Sequence, residues 1–457
     1  MYDLAIIGGG PAGYSAALEA AGRNMRVVLF EYRQLGGTCL NRGCVPTKYL
    51  SHVGKKYYEA SRADSDGISC SSVNIDFLKT ADRMQKIVTE LREQLESFLL
   101  YGNVEIISGE AKITGDRKVV CEGKTYEAQN LLIATGSAPS EPLLPGAITS
   151  DELLKLNKIP EKLHVLGGGV VAVEFAQIFR MLGSEVTLSI RANRILRKWD
   201  EEIAEAMTRS MKERGIRIQT NCDFKDLSIG DGSVVLSAAG RKAVLPPTEN
   251  IVFDLGAGGG ILVDSCGRTS VRGIYAAGDV VEGSPQLAHV GMEQGRRAVR
   301  HMAGLALSQE AAVVQCIYAA QEAVSVGLTE EEAKAKGLSV VAVKQSMAAN
   351  ARAMIVKQTD GFTKIVAEKE SGRIVGAQLM SERAGDMATE LALAIDRKMT
   401  VSELLCSVRP HPSFCEAITD VLRAMENQLE IREPKKDSQE SQEAKSGRKG
   451  GLLRFLK

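Results

Sequence analysis

The chain has 457 residues, of which 44% are hydrophobic and 25% are charged. This length exceeds what one compact core supports, so we expect roughly three domains. Lys plus Arg and Asp plus Glu number 57 each, so no net charge favours a nucleic acid or an anionic membrane as partner. No apolar run is long enough to span a bilayer, and the N-terminus lacks the pattern of a secretory signal, so we expect a cytoplasmic protein.

A glycine cluster near the N-terminus is typical of a dinucleotide-binding unit. A short apolar strand leads into Gly8, Gly10 and Gly13, an Ala-rich helix follows, and the next strand ends at Glu31. Gly8 permits the tight turn, Gly10 lets the backbone approach a pyrophosphate, and Gly13 lets the helix pack closely on the strand. The phosphates would then lie at the helix N-terminus, and Glu31 is placed to accept hydrogen bonds from an adenosine ribose.

A second strand, glycine turn and helix follow the same pattern at Gly167, Gly169 and Ala172, with Ala in place of the third glycine. The next strand ends in a basic loop that contains Arg191 and Arg197, where an NAD site usually carries an acid. Guanidinium groups suit a 2′-phosphate through paired, charge-assisted hydrogen bonds, so the loop favours NADP(H). The alternative interpretation is an ordinary solvated basic loop.

Periodic segments connect and follow the two units. Apolar residues recur at helical intervals over about 75–100, and short alternating segments over 104–129 predict antiparallel strands. The runs 131–139 and 273–281 predict further strands, the first of them returning to the first sheet. The final globular stretch, 311–428, alternates strands and helices and carries no nucleotide fingerprint.

Two of the nine cysteines form a motif. The other seven are single residues, which we expect to be small, buried or half-buried apolar side chains. Cys39 and Cys44 lie in the segment GGTCLNRGCVPTK, at the expected start of a helix. Two cysteines at this spacing can close a small disulfide ring, and the helix N-terminus lowers the pKa of a thiol. Such a thiolate can attack a substrate disulfide, so the segment predicts a redox-active pair.

With these motifs the chain resembles the pyridine nucleotide-disulfide oxidoreductases, the class that includes dihydrolipoamide dehydrogenase, glutathione reductase and mercuric reductase. The resemblance covers Tyr2 to about Gln428. It implies an α/β protein with two Rossmann-like dinucleotide-binding domains, for FAD and NAD(P), and a C-terminal α+β dimerisation domain. The expected ranges are 1–146 and 260–310 for the FAD-binding domain, 147–259 for the NAD(P)-binding domain, 311–430 for the dimerisation domain, and 431–457 for a disordered charged tail.

The resemblance also assigns roles to residues of this chain. Cys39 would be the interchange thiol that meets the substrate, and Cys44 would be the thiol next to the flavin. Lys48 would lie near the flavin N5 and pair with Glu174, while Asp279 would hold the ribityl chain of FAD. The further cofactor contacts that it implies are Gly37, Thr38, Thr135, Gly136 and Ala288.

An acid/base pair is implied by the segment HPSFCE. His411 would act as the general base and Glu416 would orient it, because imidazole titrates near neutral pH and can carry a proton between a thiol and bulk water. In the family this pair reaches the cysteines of the other subunit, which implies a homodimer with shared active sites. Cys415 replaces a residue that is usually not cysteine, and it receives no role. No metal site is expected.

Several features bear on the choice within the class. The stretches GGGPAGY, GGTCLNRGC and RAGDMATELALAI favour a dihydrolipoamide dehydrogenase-like enzyme, acting on a small dithiol or a lipoyl-carrying protein. The arginines of the second unit favour an NADPH-dependent reductase similar to glutathione reductase, and Arg42 departs from the family's usual small apolar residue. Mercuric reductase and large thioredoxin reductases are disfavoured, because their additional metal-binding or terminal redox cysteines are not seen. The alternative of another class, a redox-silent flavoprotein assembly subunit, is disfavoured because Cys39, Cys44, His411 and Glu416 are all retained.

Overall fold

The computed structural model describes residues 1–115, 117–227, 229–307 and 309–429. The tail expected at 431–457 lies outside the described residues. Three sheet-based units and a short two-stranded ribbon make up the described chain, and they confirm the expected α/β fold class with an antiparallel C-terminal unit. Among the described residues, no helix is both long and apolar enough to cross a membrane.

The first unit is a mixed sheet with helices. Its elements are β1 (Tyr2–Ile7), α1 (Pro11–Ala21), β2 (Val27–Glu31), α2 (Gly37–Arg42), α3 (Cys44–Ala60), α4 (Phe77–Tyr101), β3 (Glu105–Ser108), β4 (Lys112–Thr114), β5 (Lys118–Cys121), β6 (Lys124–Ile133) and β7 (Ser137–Pro139), with a short 3-10 helix at Ala63–Asp66. Strands β3, β2, β1 and the second half of β6 are parallel in that order. The first half of β6 pairs antiparallel with β5, and β5 with β4, as the alternating segments predicted.

The second unit is a smaller parallel sheet. Its elements are α5 (Ser150–Leu153), β8 (Lys162–Leu166), α6 (Val170–Met181), β9 (Glu185–Ser189), α7 (Glu201–Glu213), β10 (Arg217–Gln219), β11 (Val234–Ser237) and β12 (Arg241–Ala243), with a 3-10 helix at Phe224–Asp226. The strand order is β10-β9-β8-β11, and all pairs are parallel. Strand β12 pairs antiparallel with β7, so the chain enters and leaves this unit through one two-stranded ribbon.

After the ribbon the chain returns to the first sheet. Strand β13 (Thr248–Glu249) pairs with β4, and β14 (Ile274–Ala276) extends the parallel part beside β6. Helix α8 (Ala288–Met302) packs on α1, where an added Cβ at Gly295 would lie 2.3 Å from the carbonyl oxygen of Ala12. Because β13 belongs to the first sheet, the return occurs before residue 248, earlier than the expected boundary at 259.

The third unit is an antiparallel sheet covered by helices. Its elements are β15 (Val314–Tyr318), β16 (Glu322–Gly327), α9 (Glu330–Ala335), β17 (Val340–Ser346), α10 (Ala351–Ile355), β18 (Phe362–Glu368), β19 (Ile374–Ser381), α11 (Ala384–Asp396), α12 (Val401–Leu405) and α13 (Glu416–Glu426), with a 3-10 helix at Met347–Ala349. The strand order is β15-β16-β19-β18-β17. Buried faces of α11 and α13, including Leu391 and Leu422, pack with the sheet in one apolar core.

One apolar cluster joins all three units around helix α3. It contains Leu50 of α3, Phe175 and Phe179 of α6, and Ile317 and Phe362 of the third unit. Gly54 allows α3 to approach α6, because an added Cβ there would lie 3.3 Å from Cβ of Met181. The helix that begins with Cys44 is therefore fixed against both neighbouring units.

Candidate active site

The segment that contains Cys39 and Cys44 begins at Gly36 and Gly37, which lie against the first glycine turn. Gly36 and Gly37 have positive φ angles of 89° and 57°, which favour glycine. An added Cβ at Gly37 would lie 2.7 Å from Cα of Gly10, so the two segments touch through backbone alone. This contact places the start of α2 directly beside the expected pyrophosphate position.

Cys39 and Cys44 form a disulfide whose Cα atoms are 4.6 Å apart. Gly43 separates the two short helical segments, and an added Cβ there would lie 2.9 Å from the carbonyl oxygen of Thr38. Inside the ring, Asn41 donates from Nδ2 to the carbonyl oxygens of Leu35 and Gly37 at 2.8 and 2.9 Å. Asn41 therefore holds the ring against the preceding turn. Sequence reasoning missed it, because an Asn in a short helix carries no distinctive pattern.

Lys48 extends from the first turns of α3 toward α6. Its Nζ lies 3.2 and 3.1 Å from the two carboxylate oxygens of Glu174, which is buried. Glu174 also accepts a hydrogen bond of 2.7 Å from the backbone N–H of Tyr318, and Lys48 Nζ lies 4.7 Å from the Tyr318 ring centroid. The ammonium group is therefore held by three units of the chain. Tyr318 was not predicted, since its contribution depends on a contact 144 residues away in sequence.

The first glycine turn has the geometry of a phosphate cradle. Gly8 has a φ of 106°, and a Cβ there would lie 2.3 Å from the carbonyl oxygen of Ala134. A Cβ at Gly13 would lie 1.9 Å from the carbonyl oxygen of Gly8, which explains the close packing of α1 on β1. Glu31 accepts hydrogen bonds of 2.8 Å from the backbone N–H groups of Gly9 and Arg33, so its carboxylate is fixed beside the turn.

The helix N-termini at the expected cofactor positions lack side-chain caps. In the described part of the chain, the N-cap residues of α1, α6 and α8 make no side-chain capping hydrogen bond; α8 begins at Ala288. By contrast, α4 and α7 are capped by Asp76 and Asp200. Free N–H groups at α1 and α6, next to glycine turns with little side-chain bulk, fit the phosphates of FAD and of a nicotinamide nucleotide.

Polar residues from distant segments meet beside Thr38. Ser137 donates to Asp279 at 2.6 Å and accepts from Nε of Arg241 at 2.8 Å. Nη2 of Arg241 lies 3.5 Å from Oγ1 of Thr38. Burial lowers the pKa of Arg241, and the nearby carboxylates of Asp151 and Asp279 oppose that shift. Asp279 was singled out from sequence, but Ser137 and Arg241 were not, because they come together only through the ribbon of β7 and β12.

Thr135 and Gly136, two further predicted cofactor contacts, follow the end of β6. Thr135 donates a hydrogen bond from Oγ1 to the carbonyl oxygen of Val244, and Gly136 has a φ of 71°. No heavy atom lies within 4 Å of a Cβ built on Gly136. The turn therefore leaves open space where the resemblance placed a border of the flavin site.

The basic loop of the second unit folds back onto the second glycine turn. The backbone N–H of Leu196 donates to the carbonyl oxygen of Gly168 at 2.7 Å, and Gly167 has a φ of 129°. Arg194 donates to backbone carbonyls within its own loop, which assigns it a structural role. Arg191 and Arg197 are exposed near the turn, with the Arg191 guanidinium carbon 5.4 Å from the Phe224 ring centroid. A Cβ at Gly169 would meet nothing within 4 Å, which leaves room for a ligand.

His411 and Glu416 lie at the start of α13. Nδ1 of His411 is 2.7 Å from Oε1 of Glu416, and Oε2 of Glu416 accepts from the backbone N–H of Ser413 at 2.8 Å. These hydrogen bonds, first the one from Ser413, lower the pKa of Glu416. The side chain of His411 is 74% exposed, and its hydrogen bond to Glu416 leaves the other ring nitrogen, Nε2, available. Burial raises the pKa of the neighbouring Cys415 thiol, and nothing in the structure gives that thiol a role.

Comparison with known proteins identifies two family domains. Residues 2–295 match the model "Pyridine nucleotide-disulphide oxidoreductase", and residues 313–422 match the dimerisation domain of the same family. The second match supports a homodimer. Within the described residues, no cluster of three or more His, Cys, Asp or Glu side chains is arranged to hold a metal ion.

Curated relatives and solved structures cover nearly the whole chain. A dihydrolipoyl dehydrogenase of Bacillus subtilis is 33% identical over 448 residues, covering 91% of this chain and 94% of the relative. A mercuric reductase of Bacillus cereus is also 33% identical, over 91% of this chain and 70% of the relative. LpdA from Mycobacterium tuberculosis and the HOCl-induced flavoprotein disulfide reductase RclA from Escherichia coli superpose with TM-scores of 0.84 and 0.83, both at 26% identity over 92% of this chain and 99% of theirs.

These matches agree with the disulfide of Cys39 and Cys44 and with the two glycine turns. They confirm the expected flavin-dependent disulfide oxidoreductase, an enzyme that acts on a sulfur group and uses FAD and a nicotinamide nucleotide. The chain belongs to the pyridine nucleotide-disulphide oxidoreductase family.

Proposed function

We propose that the protein is a dihydrolipoamide dehydrogenase-type enzyme, which oxidises a dihydrolipoyl dithiol and passes its two electrons to a nicotinamide nucleotide. The observation that carries the proposal is the Cys39–Cys44 disulfide, held at the start of α3 against the first glycine turn and next to Lys48 and Glu174. Many of the curated relatives carry the name dihydrolipoyl dehydrogenase.

In this proposal the thiol exchange uses the two cysteines in different roles. One substrate thiolate attacks Sγ of Cys39, the disulfide breaks, and Cys44 leaves as a thiolate. The second substrate thiolate then displaces Cys39, so the substrate closes its own disulfide and Cys39 takes up one of the two substrate protons. FAD supplies the chemistry that takes the electron pair from the Cys44 thiolate and delivers it to the nicotinamide.

The remaining proton is assigned to His411 of the partner subunit. Its exposure and its place in the matched dimerisation domain support this role across a dimer interface. Glu416 would fix the imidazole through the bond to Nδ1, leaving Nε2 to accept the thiol proton. The proposed active site is therefore shared between two chains.

The proposed cofactor and substrate contacts follow from the same geometry. Gly8, Gly10, Gly13, Glu31, Gly37 and Thr38 would hold the adenosine and pyrophosphate of FAD, and Thr135, Gly136, Asp279 and Ala288 its flavin half. Gly167 and Gly169 would hold the nicotinamide nucleotide, and the exposed Arg191 and Arg197 favour a 2′-phosphate there. A lipoyl-carrying protein is the proposed source of the dithiol. A cytoplasmic setting belongs to the proposal too, because the seven other cysteines carry free thiols, as is usual in reducing compartments.

The test combines spectroscopy with a comparison of substrates. Partial anaerobic reduction of the holoenzyme should produce a long-wavelength absorption band from the thiolate beside the flavin, and Cys44→Ser should abolish it. Steady-state assays should show oxidation of dihydrolipoamide with NAD or NADP. Inactivity with dihydrolipoamide beside rapid NADPH-dependent reduction of oxidised glutathione would contradict the proposed substrate. Absence of the band in the wild-type holoenzyme would contradict the role of the cysteine pair.

A further inference from the structure

Arg42 lies inside the disulfide ring, between Cys39 and Cys44. It is the last residue of α2, three positions after Cys39, so the two side chains are neighbours on one helical face. The resemblance led us to expect a small apolar residue here. A permanent positive charge is therefore built into the redox-active loop of this chain.

The partner of Arg42 is Asp151, which comes from a different unit. Nε of Arg42 lies 3.0 Å from Oδ2 of Asp151, and the two side chains are only 22% and 18% exposed. Asp151 belongs to α5, the first helix after the chain leaves the ribbon strand β7. Its other oxygen, Oδ1, is buried and has no hydrogen-bond partner among the described residues. Removing Arg42 therefore leaves this carboxylate without its ion-pair partner.

Other charged groups around the loop form contacts of their own. Lys48 of α3 pairs with Glu174 of α6, and Arg92 of α4 donates to Asn41. Arg241 of β12 contacts Ser137 and Thr38, and it also interacts electrostatically with Asp151 and Arg42. Among the described residues, Arg42 is the only residue of the ring closed by Cys39 and Cys44 that forms an ion pair with a carboxylate.

We propose that Arg42 and Asp151 are positioning residues whose opposed charges set how readily the reduced Cys39–Cys44 pair holds a thiolate. The inference rests on the proposed redox role of this pair. Reduction by a dithiol adds two electrons, breaks the disulfide and leaves one thiol and one thiolate, with one proton taken up. The cation of Arg42 stabilises that thiolate, and the anion of Asp151 limits the effect.

The two charges predict shifts of opposite sign. Arg42→Val removes a cation while the anion of Asp151 remains, so the thiolate becomes less stable and the pH midpoint of its titration rises. Asp151→Asn keeps the shape of the side chain but removes the anion while the cation of Arg42 remains, so the midpoint falls. For one elementary charge near the sulfur at a partly exposed site, each shift is on the order of one pH unit. The double variant should return close to the wild-type midpoint.

The measurement uses the holoenzyme, reduced anaerobically with dihydrolipoamide and freed of excess dithiol. The rate of thiol alkylation by iodoacetamide is recorded against pH, together with the long-wavelength band. Arg42→Lys should retain the wild-type midpoint, and Arg42→Gln replaces Arg42→Val as the variant without the charge if Arg42→Val folds poorly. Arg268 and Asp264 form the control, because they also pair through Nε and Oδ2, at 2.6 Å, and among the described residues neither is hydrogen-bonded to the segment from Gly36 to Lys48. Arg268→Val should leave the midpoint unchanged.

Shifts of both single variants in the same direction, or no shift in either, would overturn the inference and reduce the pair to a structural contact. These outcomes differ from failure of the proposed function. In that case the wild-type holoenzyme would show neither a dithiol-dependent increase in alkylation nor the long-wavelength band, whatever residue stands at position 42.

Discussion

Lys364 forms a buried ion-pair network between the second and third units. Its Nζ lies 3.0 Å from Oδ2 of Asp200 and 2.6 Å from Oε2 of Glu202, and its side chain is 7% exposed. Asp200 also caps α7 through Oδ1, directly after the basic loop of the nucleotide site. We predict that Lys364→Met destabilises the protein by about 3–5 kcal/mol, because a buried carboxylate loses its cation.

Lys344 provides the matched control. It lies on the neighbouring strand β17 and pairs with the same Glu202, but its side chain is 47% exposed. Lys344→Met should therefore lower the free energy of unfolding by about 1 kcal/mol or less. Urea unfolding at constant FAD, followed by the fluorescence of the single tryptophan, Trp199, reports on this region because Trp199 is buried next to Asp200.

The destabilisation caused by Lys364→Met should depend on pH. Burial alone would lower the pKa of Lys364, but the hydrogen bonds to Glu202 and Asp200 prevail and raise it above 10.5. Burial would raise the pKa of Glu202, yet its bonds to Lys344 and Lys364 lower it below 4.5. The stabilisation is thus complete between about pH 4.5 and 10.5, and it is lost as pH rises through the folded pKa of Lys364 or falls through that of Glu202. Equal costs for Lys364→Met and Lys344→Met, or a cost that does not change at the extremes of pH, would refute the reasoning.

Three further predictions follow from the site. Gly13→Ala should abolish FAD retention after purification, because its Cβ would lie 1.9 Å from the carbonyl oxygen of Gly8; normal flavin content would contradict this. Replacing both Arg191 and Arg197 with Ala should raise KM for NADP(H) by about tenfold or more and leave KM for NAD(H) within about twofold, because only NADP(H) has a 2′-phosphate. Equal effects on the two KM values would show that the loop does not bind the 2′-phosphate. Asn41→Ala should lower the free energy of unfolding by about 1–2 kcal/mol and speed the reduction of the disulfide by dithiothreitol, because the hydrogen bonds to Leu35 and Gly37 are lost. An unchanged reduction rate would show that Asn41 does not hold the ring in place.

Local patterns predicted the secondary structure near the site well. The apolar periodicity over 75–100 corresponds to α4 at Phe77–Tyr101, whose start is fixed by the cap of Asp76 on the N–H of Lys79. The strand predicted at 131–139 returns to the first sheet over 131–133, at the end of β6, whereas Ser137–Pro139 form the separate strand β7 of the ribbon. These elements could be predicted because apolar periodicity and helix capping depend on residues that are close together in the sequence.

Contacts between distant segments could not be predicted in the same way. Ser137, Arg241 and Asp279 are each ordinary polar residues, and they form one network only because β7 and β12 pair. The point at which the chain returns to the first sheet could not be predicted for a similar reason. Strand β13 has two residues and no periodicity of its own, and only its pairing with β4 shows that the chain has returned.

The insertion of the second unit into the first has a consequence for synthesis on the ribosome. Strand β14, which covers the edge of β6, and α8, which covers α1, are made only after the whole of the second unit has emerged. Until then α1 and β6 lack the partners that α8 and β14 supply in the finished fold, and one edge of β6 is open to other chains. We therefore expect the nascent first sheet to be prone to wrong strand pairing while the second unit is being made.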